Sequence, residues 1–159
     1  MRDQGHDPFP DFAVWLRQYH HDPIGERMKL NLRQIGARKM EVRTDKWSFV
    51  IDLKEEFGGE NSGPNPSELT AAAVASCEVL TGVYWAARRH GIELRDVEAD
   101  VEWEYGEKPD RIDSIHVTIR NVAEQLSTEK ILRAFRGVAK GCTITKTFQY
   151  QPKLTLNIE

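Results

Sequence analysis

Only two cysteines, Cys77 and Cys142, occur among the 159 residues, and neither belongs to a C-x-x-C pair. A disulfide framework and a cysteine-ligated zinc site are both unsupported by that count and spacing. Of the five histidines, His20 and His21 are adjacent and so point in different directions in most backbones, while His6, His90 and His116 are scattered, so neither a metal nor a cofactor is expected. Blocks of like charge are missing too. The 22 Lys and Arg and 25 Asp and Glu are intermixed, leaving a net charge of -3 and a pI near 6.0, which disfavours nucleic acid and anionic lipid as partners. Long apolar runs are also lacking. The weakly polar stretch 69–87 is Ala-rich and interrupted by Glu78, so no membrane span is expected. Residues 1–10 are polar and carry no apolar core of a signal peptide. The expected location is cytoplasmic, where cysteines stay reduced unless they turn over chemically. Finally, the G-x-x-x-x-G-K-[ST], G-x-G-x-x-G and G-x-S-x-G patterns are absent, leaving nucleotide binding and serine-hydrolase chemistry without a motif.

What is present fits one domain with an extension, since a chain of this length buries a core without covalent staples. Residues 1–28 are bracketed by Pro8, Pro10 and Pro23, and Phe12, Trp15, Leu16 and Tyr19 recur there at helical spacing. They read as an arm with a short amphipathic helix capped by Asp11. Residues 29–159 read as the main domain. Leu30 and Leu32, then Met40 and Val42, then Trp47, Phe49 and Ile51 alternate with polar neighbours, predicting three short antiparallel strands between 29 and 53. The stretch 55–66 holds Gly58, Gly59, Gly63, Pro64 and Pro66, a composition that precludes regular structure. At its end Asn65, Pro66 and Glu68 stand as N-cap, first helical residue and capping-box acid. A helix is predicted from there to Gly91, with Leu69, Ala73, Cys77, Leu80, Tyr84 and Ala87 on one face and Arg88, Arg89 and His90 at its negative end. Few polar residues interrupt its first half, so it is expected to be central and buried on most sides.

Alternation resumes through Val97, Ala99, Val101, Trp103 and Tyr105, and again through Ile115, Val117 and Ile119, predicting a long hairpin turning near 108–110. A second helix follows, capped by Ser127, with Ile131, Phe135 and Val138 on one face and a stop at Gly141. The tail, with Phe148, Tyr150, Leu154, Leu156 and Ile158, reads as a closing strand. Strands and helices do not alternate regularly, so the fold class is α+β.

Cys77 lies on an apolar helix face, where the plain reading is a small packing residue. A reactive thiolate there would need help from outside the helix, because twelve residues at ~1.5 Å each leave the helix start ~18 Å away. A guanidinium would serve. Cys142, past a helix end and near Lys140 and Lys146, reads either as a half-exposed loop cysteine or as a mobile second thiol.

The run Gly58-Gly59-Glu60-Asn61-Ser62-Gly63-Pro64-Asn65-Pro66-Ser67-Glu68-Leu69, continuing to Ala75-Ser76-Cys77 and joined by Cys142 after the second helix, resembles the signature of the OsmC/Ohr family of osmotically inducible and organic hydroperoxide resistance proteins. The resemblance spans about residues 29–159. It implies antiparallel sheets packed around a long central helix, in an intertwined homodimer with two sites at the interface. It further implies thiol-dependent reduction of organic hydroperoxides, with Cys77 peroxidatic, Cys142 resolving and a dithiol as reductant. Arg38, in a Gly-x-Arg context expected on the second strand, best matches the family's catalytic arginine, with Arg43 behind it. Glu68 matches the Pro-x-Glu-Leu pattern, while Ser67 stands where the hydroperoxide resistance branch carries a glutamate. Thr143, Ile144 and Thr145 follow Cys142 in place of the usual proline and favour extended backbone. Two other readings are a non-catalytic member of the same fold that binds a small apolar ligand at the dimer interface, and an interaction scaffold that uses the arm.

Overall fold

Alternating side chains and tight glycine turns organise the first third of the main domain. Three strands, β1 (Asn31–Gly36), β2 (Lys39–Arg43) and β3 (Ser48–Asp52), form an antiparallel sheet in the order β1-β2-β3. Leu32 pairs with Val42 and Val42 with Phe49, while Met40 pairs with Ile51, so the predicted apolar positions share one face. The structure is a computed structural model that describes residues 29–158; the expected arm at 1–28 lies outside them. Val42 is buried, but Leu32, Trp47 and Phe49 are exposed.

The glycine-rich loop is folded back onto β3 rather than left loose. The Asp52 carboxylate, only 1% exposed, accepts from the backbone N–H groups of Leu53, Glu60 and Ser62 and from the Ser62 hydroxyl. The Ser62 N–H is the largest influence holding this carboxyl below its ordinary range, with the Ser62 hydroxyl and the N–H groups of Glu60 and Leu53 adding to it against burial. Gly59 and Gly63 pass so close to the backbone of Leu53 and Val50 that a Cβ at either would overlap a carbonyl. One short 3-10 turn, Glu55–Phe57, interrupts a segment expected to lack regular structure.

The long helix α1 (Pro66–His90) begins as its residues predict: the Asn65 side chain accepts from the N–H of Ser67 and Glu68, and Glu68 accepts from the N–H of Asn65. Gly91 ends it in the left-handed conformation, with φ 64°. The buried face is not the predicted one. Ala71, Val74, Ala75, Thr81, Gly82, Trp85 and Ala86 face inward, whereas Leu80 is 53% exposed and Leu69, Ala73, Tyr84 and Ala87 are only half-buried. At ~100° per residue the two sets lie nearly opposite each other, so α1 is apolar on both sides and one side is open within the chain.

The hairpin β4 (Glu98–Glu107) and β5 (Asp110–Arg120) pairs Ala99 with Ile119, Val101 with Val117 and Trp103 with Ile115. A bulge between Glu104 and Tyr105 shifts Tyr105 opposite Ile112. The helix α2 (Glu129–Lys140) packs on α1, where the Phe135 ring fills the space left by Gly82. Its cap is Thr128, which accepts from Ile131 N–H, and not the expected Ser127.

The expected closing strand does not form. Thr143–Gln149 is a third helix, α3, capped by Cys142, and residues 150–158 adopt no regular element. The β-branched residues that favoured extended backbone are held in a helical turn by the cap and by the Thr147 hydroxyl donating to Thr143 O.

Candidate active site

Three elements bring the two cysteines together. Cys77 projects from the middle of α1, and Cys142 sits at the α2–α3 junction, where Gly141 N–H and Cys142 N–H bond back to Val138 and Ala139 carbonyls. The two thiols stand close enough for each to be the leading influence on the other's ionisation, and both are free. Their burial is the reverse of expectation. Cys142, read from sequence as a mobile or half-exposed loop residue, is 0% exposed, while Cys77 is half-buried.

Each sulfur collects a different set of donors. Cys142 Sγ accepts from Thr145 N–H at 3.4 Å and stands 3.1 Å from Thr145 Oγ1. The Ile144 N–H and the buried Thr81 hydroxyl, one helical turn from Cys77, both favour the charged form of the Cys77 sulfur. A pair in such contact shares one proton between two sulfurs, so its first and second ionisations separate. The Cys77 S–H pulls the Cys142 thiol down to about 6, aided by the Thr145 hydroxyl and N–H and opposed by burial and the Glu78 charge. The same contact, with burial, pushes Cys77 up, against the pull of Ile144 and Thr81. The negative charge of the singly ionised pair therefore rests chiefly on the enclosed sulfur.

Glu78, which sequence reasoning passed over, is part of this cluster. Its Oε1 accepts from the Thr145 hydroxyl at 3.0 Å. Glu78 and Thr145 line a cavity of about 250 Å³ with Val74, Ile112, Ile115 and Phe148. Nothing in the spacing of Glu78 and Thr145 announces the contact, because it spans 67 positions and depends on α3, an element read as a strand.

The other anticipated residues lie elsewhere in the chain. Arg38 is in the β1–β2 turn, exposed, and not on the second strand; its side chain runs past Gly58. Arg43 lies on β2 beside Glu41. Glu68 is engaged in the α1 capping box, nine residues before Cys77, ~13 Å along the axis. Ser67 and Tyr105 line one cavity, and Ser67 is the leading influence lowering the Tyr105 phenol. Within the described residues no guanidinium is among the groups that set the Cys77 thiol.

The family model for OsmC-like protein matches residues 59–157. An organic hydroperoxide resistance protein-like chain of Staphylococcus aureus is 28% identical over 131 residues, covering 78% of this chain and 89% of the relative. Among solved structures, an osmotic stress induced and detoxification response protein from Psychrobacter arcticus superimposes with a TM-score of 0.68 at 21% identity, covering 79% of this chain and 91% of that one. An OsmC like protein from Mycoplasma pneumoniae gives 0.62 at 16% identity, covering 79% and 89%. At these identities the structural likeness speaks to the fold.

Proposed function

Since the chain belongs to the OsmC-like protein family, we propose that it reduces organic hydroperoxides through a Cys77–Cys142 dithiol–disulfide cycle. The observation that carries this reading is the meeting of two free thiols from distant positions in the chain, Cys77 half-buried and Cys142 enclosed, each the leading influence on the other's ionisation. The curated relative in Staphylococcus aureus bears an organic hydroperoxide resistance name, which favours the same substrate class. As Cys77 meets the distal peroxide oxygen, its proton passes to the Cys142 thiolate. The O–O bond breaks, the alkoxide takes a proton from solvent and leaves as an alcohol, and Cys77 becomes a sulfenic acid. Cys142 then attacks the Cys77 sulfur, forming the disulfide and expelling water, and a cytoplasmic dithiol resets the pair.

The proposal includes a homodimer. Leu32, Trp47 and Phe49 on the first sheet and Leu80 on the open side of α1 are exposed in the single chain, and apolar surface of that kind is what a subunit interface covers. Cumene hydroperoxide with a dithiol reductant is expected to be consumed catalytically by the wild type and at the uncatalysed background by Cys77→Ser. With the reductant left out, Cys142→Ser is expected to consume one equivalent and stop at the sulfenic acid. Equal consumption by wild type and Cys77→Ser removes the proposal. The upward shift of Cys77 favours one alternative, a non-catalytic OsmC-like protein holding a small apolar ligand, for which all three proteins are inert in the assay.

A further inference from the structure

Cys142 has no exposed surface, yet it must lose a proton to attack a sulfenic acid, because the thiolate and not the thiol is the nucleophile. A buried S–H cannot hand that proton straight to bulk water, so a bonded side chain has to take it. The Thr145 hydroxyl is in contact with the sulfur on one side and with the Glu78 carboxylate on the other. It has a single proton and two places to put it. When Cys142 is a thiol, S–H donates to Thr145 Oγ1 and Thr145 donates to Glu78 Oε1. When Cys142 is a thiolate, rotation of the hydroxyl turns the same proton to the sulfur. Glu78 in turn is half-buried and borders the cavity between α1, β5 and α3, which opens an exit for the proton.

We propose that Thr145 and Glu78 form a proton relay that ionises Cys142 for disulfide closure, Thr145 touching the reacting sulfur and Glu78 acting through it. The relay rests on the reading of Cys77 and Cys142 as a working redox pair. After hydroperoxide has converted Cys77 to its sulfenic acid, the Cys142 proton moves to Thr145 Oγ1 while the Thr145 proton moves to Glu78. The Cys142 sulfur uses its freed electron pair to bond the Cys77 sulfur, the S–O bond breaks with its electrons on oxygen, and the departing hydroxide takes up a proton to leave as water. Glu78 returns its proton to solvent. Two thiols are oxidised, one hydroperoxide is reduced, and no further reactant is needed.

The test separates closure from the peroxide step. Glu78→Gln keeps the shape and the acceptor for Thr145 but is not basic; Thr145→Val breaks the chain and Thr145→Ser restores the hydroxyl. Sulfenic acid on Cys77 is trapped with dimedone and disulfide is counted by acid-quenched alkylation and mass spectrometry. Oxidation is driven in one series by cumene hydroperoxide and in another by diamide, which closes dithiols without peroxidase chemistry. Glu78→Gln and Thr145→Val are expected to close the disulfide on the order of a hundredfold more slowly, with Cys77 sulfinic acid accumulating in the peroxide series. Thr145→Ser recovers most of the rate lost in Thr145→Val. The Glu78→Gln defect shrinks as pH rises and solvent base takes over, with Asp113 on β5 and Arg136 and Lys140 on α2, the charged groups lining the cavities around Glu78, unchanged in every variant. Closure at the wild-type rate in both Glu78→Gln and Thr145→Val overturns the relay. Slow closure of these variants with diamide, in a protein that ignores hydroperoxide, keeps the relay and removes the peroxidase reading. A wild type that forms no disulfide with either oxidant removes both.

Discussion

The two sulfurs are chemically unequal although they touch. Cys142 is held down by three donors while Cys77 carries the shared proton, so the pair titrates as a unit. Thiolate absorbance near 240 nm is expected to rise by about one thiolate per chain around pH 6, with the second thiol silent well into alkaline pH. The sign follows from the lowered value: the charge is present above that pH and lost below it, so hydroperoxide consumption falls as the medium is acidified through the same range. In Cys142→Ser the leading cause of the Cys77 shift is gone, and its titration is expected to move down towards the ordinary thiol range. A first ionisation that stays near the ordinary thiol value in the wild type contradicts this account of the pair.

Among the elements, α1 shows how far local sequence reasoning reaches. Its start was legible because Asn65, Pro66 and Glu68 act on each other within four residues. Its buried face was not, because both sides of the helix are apolar and the side that packs is the one where the α2 residue Phe135 lies against Gly82, in space a Cβ would fill. Gly82→Ala places a methyl inside that ring's volume and is expected to cost about 1–3 kcal/mol, read as a lower urea midpoint with unchanged slope. A neutral result would mean that α2 can slide. The tail failed for a related reason. Thr143, Ile144, Thr145 and Thr147 carry strand propensity, but Cys142 caps them into a helix, and propensity yields to tertiary context. The helical tail also hides the Thr145–Glu78 contact from the sequence, since Thr145 reaches Glu78 only from α3. The cysteine pair was legible through its resemblance to a family; the order of burial within it was not, because it depends on how the α2–α3 junction closes over the sulfur.

At the scale of the whole molecule, the open side of α1 and the exposed face of the first sheet set the expected assembly. Sedimentation is expected to give a dimer, and Leu80→Glu, which puts a charge where an apolar contact is proposed, is expected to yield monomer or a strongly weakened dimer. A monomeric wild type at micromolar concentration would count against the intertwined arrangement. Access to the cysteine pair is one-sided at this scale as well. In the proposed cycle a reductant would meet the half-buried Cys77 sulfur before the enclosed Cys142, so the mixed disulfide would form on Cys77 and Cys142 would depart. The thiol whose charge is best stabilised would then be the leaving group, and a low leaving-group pKa speeds thiol–disulfide exchange. The cap that encloses Cys142 would thus set the direction in which the proposed disulfide reopens.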